Sequence, residues 1–113
     1  MKTLLWLDDY RNPKHWMNEY GFYEEDLTSV IWVKTYEEFV SHIENNSLPD
    51  YVAFDHDLGT VKDGYDCAWW LVNYCMDNDK KLPKYVIQSA NNVGTKNIDM
   101  LFKNFNKRIF LIC

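Results

Sequence analysis

The stretch Val52-Ala53-Phe54-Asp55-His56-Asp57-Leu58-Gly59 decides the fold. A short apolar run rich in β-formers stops at two carboxylates and an imidazole, then turns on a glycine, which is how a buried strand ends at a polar site. Thr3-Leu4-Leu5-Trp6-Leu7 has the same shape and runs straight into Asp8-Asp9. Parallel neighbours in an open α/β sheet bring their carboxyl ends together, so Asp8, Asp9, Asp55 and Asp57 would meet at one edge. That makes a candidate cation site from two distant parts of the chain. Asp57 joins it through its carboxylate or its backbone carbonyl, or else braces the loop.

Outward from these two strands the chain alternates. Ser29-Val30-Ile31-Trp32-Val33 reads as a strand, followed by Thr35-Tyr36-Glu37-Glu38, whose Thr and Glu three apart fit a capping box. Tyr36, Phe39, Val40 and Ile43 then fall on one helical stripe. Asp63-Gly64 opens a helix running to about Asp77, with Ala68, Leu71, Val72 and Cys75 facing inward. Lys84-Tyr85-Val86-Ile87 is a fourth strand, and Ile98, Leu101, Phe102 and Phe105 mark a last helix. Arg108 to Ile112 reads as a fifth strand. Between Asp8 and Leu27, Asn12-Pro13 suits a short helix closed by Gly21, or a structured loop over the site. The pattern predicts an α/β fold with a doubly wound five-stranded parallel sheet, strand order 2-1-3-4-5. The first and third strands then flank the topological switch point.

Composition narrows the function. A length of 113 residues is expected to form one domain, residues 1–113, that buries its core without disulfides or a structural metal. The net charge of −5 argues against an extended nucleic-acid face, because neutralising a phosphate backbone needs clustered Lys and Arg. A small phosphate-bearing ligand held through a divalent cation remains compatible with it. Five Trp, eight Tyr and six Phe are read as core plus a few surface rings rather than as a stacking surface. Cys67, Cys75 and Cys113 lack metal-ligand spacing, and eight residues of helix would hold the first two roughly 12 Å apart. Both are expected as reduced core thiols. The N-terminal apolar run breaks at Asp8, so neither a signal peptide nor a membrane span is expected, and a cytoplasmic location is.

Oxygen-only ligation favours Mg²⁺, Mn²⁺ or Ca²⁺ over zinc. His56, between two candidate ligands, is suited to proton transfer or phosphate contact. Arg11, two residues after the acidic pair, offers either a surface salt bridge or a bidentate phosphate contact. Ser89, Asn91 and Gly94 read as helix capping or as a phosphate cradle at the start of the last helix.

Leu7-Asp8-Asp9, Asp55 and Ser89 resemble the receiver domains of two-component signalling. The closer resemblance is to the cyclic-phosphate processing receiver domain family. It is carried by Leu7-Asp8-Asp9-Tyr10-Arg11-Asn12-Pro13, Asp55-His56-Asp57-Leu58-Gly59, Gly64-Tyr65-Asp66 and Ser89-Ala90-Asn91-Asn92-Val93-Gly94. The resemblance implies a receiver-like, flavodoxin-like fold and a divalent cation, Mg²⁺ or Mn²⁺. It also implies a metal-dependent phosphoesterase acting on a cyclic phosphate of a nucleotide or RNA end, for which the candidate catalytic residues are Asp55, His56 and Arg11. The alternative is a module that binds a cyclic nucleotide or phosphorylated ligand without turnover. Two departures stand out: Gln88 and Asn92 occupy places where the family pattern has His and Pro, and the receiver lysine of the fifth strand has no counterpart.

Overall fold

The computed structural model describes residues 2–88 and 92–112, with side chains through residue 107. Four strands, β1 (Thr3–Leu7), β2 (Ser29–Val33), β3 (Tyr51–Phe54) and β4 (Lys84–Ile87), form one sheet in the order β2-β1-β3-β4. All three pairings are parallel. The helices are α1 (Pro13–Trp16), α2 (Tyr36–Asn46), α3 (Gly64–Asp77) and α4 (Asn92–Ile112). None of the described helices is long and apolar enough to cross a membrane.

Side chains alternate across the strands, so each strand feeds two cores. Leu5, Leu7, Val52 and Phe54 pack against α2, α3 and α4 through Phe39, Ile43, Leu71, Ile98 and Phe102. Full burial of each such side chain is worth about 1.5–3 kcal/mol. Leu4, Trp6 and Ala53 face the other way and are capped by Met17 and Phe22. Cys67 and Cys75 are free, buried thiols, and burial raises the pKa of both, that of Cys75 to about 11.

The expected fifth strand is not formed: residues 108–112 continue α4 as helix. No Gly or Pro separates Phe105 from Arg108, so nothing stops the helix. An apolar run of four or five residues does not by itself choose strand over helix. The double winding is also lopsided, since α2, α3 and α4 all join the core on one face. The opposite face is covered by Trp16, Met17, Tyr20, Phe22 and Leu27, from a segment that holds the single turn α1 and two 3₁₀ turns, Met17–Tyr20 and Glu24–Asp26. Asn12 caps α1 by accepting from Lys14 N at 3.0 Å, and Gly21 closes the excursion at φ 88°, a conformation that favours glycine.

The capping box lies elsewhere than expected. Thr35 Oγ1 accepts from Glu38 N, but Glu38 reaches past Thr35 to Lys34 N at 3.1 Å. The reciprocal box is made at α3, where Asp63 accepts from Asp66 N at 3.1 Å and Asp66 accepts from Asp63 N at 2.9 Å.

Candidate metal centre

Strand register builds the site. Leu7, Phe54 and Ile87 lie side by side at the ends of β1, β3 and β4. The next residue of each strand, Asp8, Asp55 and Gln88, is therefore drawn level along the sheet edge. Asp55 N donates to Leu7 O at 3.0 Å and Gln88 N to Phe54 O at 2.7 Å, which keeps the three in line. Among the described residues these are the buried polar or charged side chains.

Asp8, Asp9 and Asp55 each bring a carboxylate oxygen to within 4.8 Å of the others, a spacing that can hold a metal ion. Asp8 is fully buried and well supplied with donors. Its Oδ1 accepts from Tyr10 N at 3.0 Å and Arg11 N at 2.9 Å, and its Oδ2 faces Arg11 Nη1 at 3.3 Å and Gln88 Nε2 at 3.1 Å. Arg11 Nη1 also donates to Gln88 O at 3.2 Å, and the guanidinium lies 5.2 Å from the Tyr10 ring and 5.4 Å from the Trp16 ring. Arg11 is thus built into the wall of the site, with its Nε buried and unpartnered among the described residues.

Asp55 is held very differently. It is 4% exposed, and the hydrogen bond described for its carboxylate comes from Asp57 N at 3.3 Å. Burial, then the nearby Asp8 and Asp9 carboxylates, push its pKa up to about 7, against the pull of Asp57 N–H and Arg11. A buried carboxylate cluster of this kind favours a bound cation, and its all-oxygen donor set suits a hard divalent ion. Two glycines keep the neighbourhood tight. Gly59 turns at φ 68°, where a Cβ would stand 3.4 Å from Asp9 Oδ2. At Gly64 a Cβ would run into the Asp55 carbonyl, so α3 starts directly against the β3 end, and Gly64 N donates to His56 O at 2.7 Å.

His56, next in the chain to Asp55, packs at the starts of α3 and α4. Its Nδ1 is 2.9 Å from Asp57 Oδ1, its Nε2 is 3.6 Å from Asp63 Oδ2, and its ring lies against Gly94. Asp57 engages His56 with its carboxylate and is not among the three clustered oxygens. Gly94 is buried at the start of α4, beside the imidazole, while Ser89 and Asn91 lie outside the described residues. The structure therefore joins Asp8, Asp9, Asp55 and Arg11 in one group and His56, Asp57 and Gly94 in an adjoining one.

Sequence reasoning passed over three supports. Trp32 Nε1 donates to Asp8 O at 2.8 Å, Trp6 Nε1 donates to Arg11 O at 2.8 Å, and Asp63 faces His56. The two tryptophans stand opposite each other in the β1–β2 register, one residue before the strand ends. That pairing of indole donors beside an acidic strand end was the available signal. A cavity of about 760 Å³ lies between β2 and the 12–28 segment and meets this end of the sheet at Asn12 and Trp32.

A parallel sheet in the order β2-β1-β3-β4 with acidic β1 and β3 ends defines a receiver-like protein. The chain belongs to the cyclic-phosphate processing receiver domain family, whose profile matches residues 3–104. Among solved structures it is similar to the N-terminal domain of a response regulator/sensory box/GGDEF three-domain protein from Carboxydothermus hydrogenoformans. That likeness has a TM-score of 0.54 and 18% identity, over 96% of this chain and 99% of the other. It is also similar to a fusion chain carrying a trimeric coiled-coil segment from yeast, with a TM-score of 0.60 and 22% identity. That match covers 88% of this chain but spans only 60% of the fusion. At these identities the likeness concerns the fold. None of the curated proteins compared with the chain matches it.

Proposed function

We propose that this chain is a divalent-cation-dependent phosphoesterase that opens a cyclic phosphate on a nucleotide or RNA end. The observation that carries this reading is the meeting of Asp8, Asp9 and Asp55 within 4.8 Å, in a chain of a family associated with cyclic-phosphate processing. Mg²⁺ or Mn²⁺ held by these carboxylates would supply Lewis-acid polarisation of a phosphoryl oxygen and a more acidic water. Arg11, anchored through Nη1 to Asp8 and the Gln88 backbone carbonyl, offsets charge developing on the phosphoryl group. His56 exchanges a proton with the water or the leaving oxygen, while Asp57 at 2.9 Å fixes the orientation of its ring. Gly94 leaves room for that ring at the start of α4.

The test is phosphorus NMR of 2′,3′-cyclic, 3′,5′-cyclic and cyclic-oligonucleotide phosphates incubated with Mn²⁺ or Mg²⁺. The wild type is expected to form product, with turnover lost in Asp55→Asn and slowed about 10²- to 10⁴-fold in His56→Gln. Equal turnover in Asp55→Asn would refute the mechanism. Gln88 favours a second reading, a module that binds the phosphate ligand without turnover, because an amide cannot titrate where the family pattern has His. Cation-dependent broadening of ligand signals with no product would select it.

A further inference from the structure

The three level strand-end residues include two carboxylates and one amide, and the amide has no part in the chemistry described above. Gln88 is 1% exposed. Its Nε2 donates to Asp8 Oδ2 at 3.1 Å and to Leu7 O at 3.3 Å, while its backbone carbonyl accepts from Arg11 Nη1 at 3.2 Å. The residue that follows β4 thus grips both the first carboxylate and the guanidinium that neighbours it.

Stability alone does not account for an amide here. Its Oε1 is buried with no partner among the described residues, an arrangement that typically costs about 1–3 kcal/mol. That cost offsets most of what its two Nε2 bonds contribute, and an apolar side chain of the same length would avoid it. Charge supplies the missing reason. With its three carboxylates ionised, as cation binding requires, and one guanidinium beside them, the cluster carries −2, matched to one divalent cation. A lysine or a protonated histidine at 88 would donate to Asp8 equally well but would cancel part of that charge. A neutral donor orients Asp8 and leaves the charge for the ion.

We propose that Gln88 is a positioning residue of the cation site, a neutral donor that fixes Asp8 Oδ2 in the cluster while preserving its divalent charge match. This rests on the cation reading given above, and it concerns an interaction behind the ligating oxygens, where substitutions typically cost 10- to 100-fold in metal affinity.

The probe is Mn²⁺ alone, titrated calorimetrically into the wild type, Gln88→Met and Gln88→Lys, with thermal unfolding of each protein in chelator. Gln88→Met, which keeps length and removes the donor, is expected to lose about tenfold in Mn²⁺ affinity without a lower melting temperature in chelator. Gln88→Lys is expected to lose about 100-fold or more, because its ammonium competes with the ion. In the wild type, the Gln88 side-chain NH₂ resonances are expected to shift with Mg²⁺ at the same midpoint as the Tyr10 and Arg11 backbone amides, a readout that needs no variant. Unchanged Mn²⁺ affinity in folded Gln88→Met, or Gln88 resonances that ignore Mg²⁺, would overturn the proposal while leaving the cation site standing. A wild type that binds no Mn²⁺ would overturn both.

Discussion

The ends of β1 and β3 carry neighbouring buried carboxylates that the protein treats in opposite ways. Asp8 is surrounded by donors: two backbone N–H groups, the Arg11 guanidinium and the Gln88 amide. The described hydrogen bond to the Asp55 carboxylate is a single one, at 3.3 Å, and burial beside Asp8 and Asp9 raises its pKa to about 7. An ionised carboxylate has about four acceptor positions, so Asp8 is held from several sides by the fold and Asp55 is not. The first is a carboxylate fixed in place, and the second is the position where an incoming cation or phosphoryl group has most to offer.

The largest expected effect breaks the fixed half. Asp8→Ala strips the acceptor from two backbone N–H groups, the Gln88 amide and the partly exposed Arg11 guanidinium, and is expected to destabilise the protein by about 3–5 kcal/mol, measured by urea unfolding in chelator. An equal loss in Asp55→Ala would erase the distinction between the two ends.

Next comes the pH dependence of the cation-free protein. Folded Asp55 keeps its proton up to about pH 7, whereas the unfolded chain releases it near the ordinary carboxylate value. Between these limits the folded state binds more protons, so stability falls as pH rises from about 4 to 7. The loss due to this group levels off above that range at up to roughly 4 kcal/mol. Asp55→Asn is expected to remove this slope and, at pH 8 in chelator, to unfold at higher urea than the wild type. A slope unchanged by the substitution would place the raised pKa elsewhere.

The smallest effect sharpens the picture of Asp8 as a residue fixed from several sides. Trp32→Phe removes the indole donor to Asp8 O and is expected to cost about 1 kcal/mol, with a weaker Mn²⁺ interaction. No change in either would show that Asp8 is held without help from β2.

These asymmetries were only partly legible in the sequence. The apolar runs before Asp8 and Asp55 announced two buried strands with polar ends, and Asp63-Gly64 announced the start of α3, because burial and capping both leave marks on residue type. The run Ile109-Phe110-Leu111-Ile112 gave no such answer, since a short apolar stretch suits strand or helix alike and only the absence of a stop signal carried α4 onward. Spacing alone did not separate Asp9, which joins Asp8 and Asp55, from Asp57, whose carboxylate engages His56. Gln88 was visible only as a departure from the family pattern. Its grip on Asp8 depends on the register of β3 with β4, and an uncharged amide leaves no trace of that in composition or periodicity.

The central claim is that Asp55 is the open ligand of a cation site. Its most direct test is calorimetric Mn²⁺ binding to the wild type and Asp55→Asn at pH 6, 7 and 8, in buffers of different ionisation enthalpy. The account predicts binding that strengthens as pH rises through about 7 with release of close to one proton at the lower pH, and its loss in Asp55→Asn. Binding of equal strength in the variant, or binding in the wild type that ignores pH and releases no proton, would contradict it.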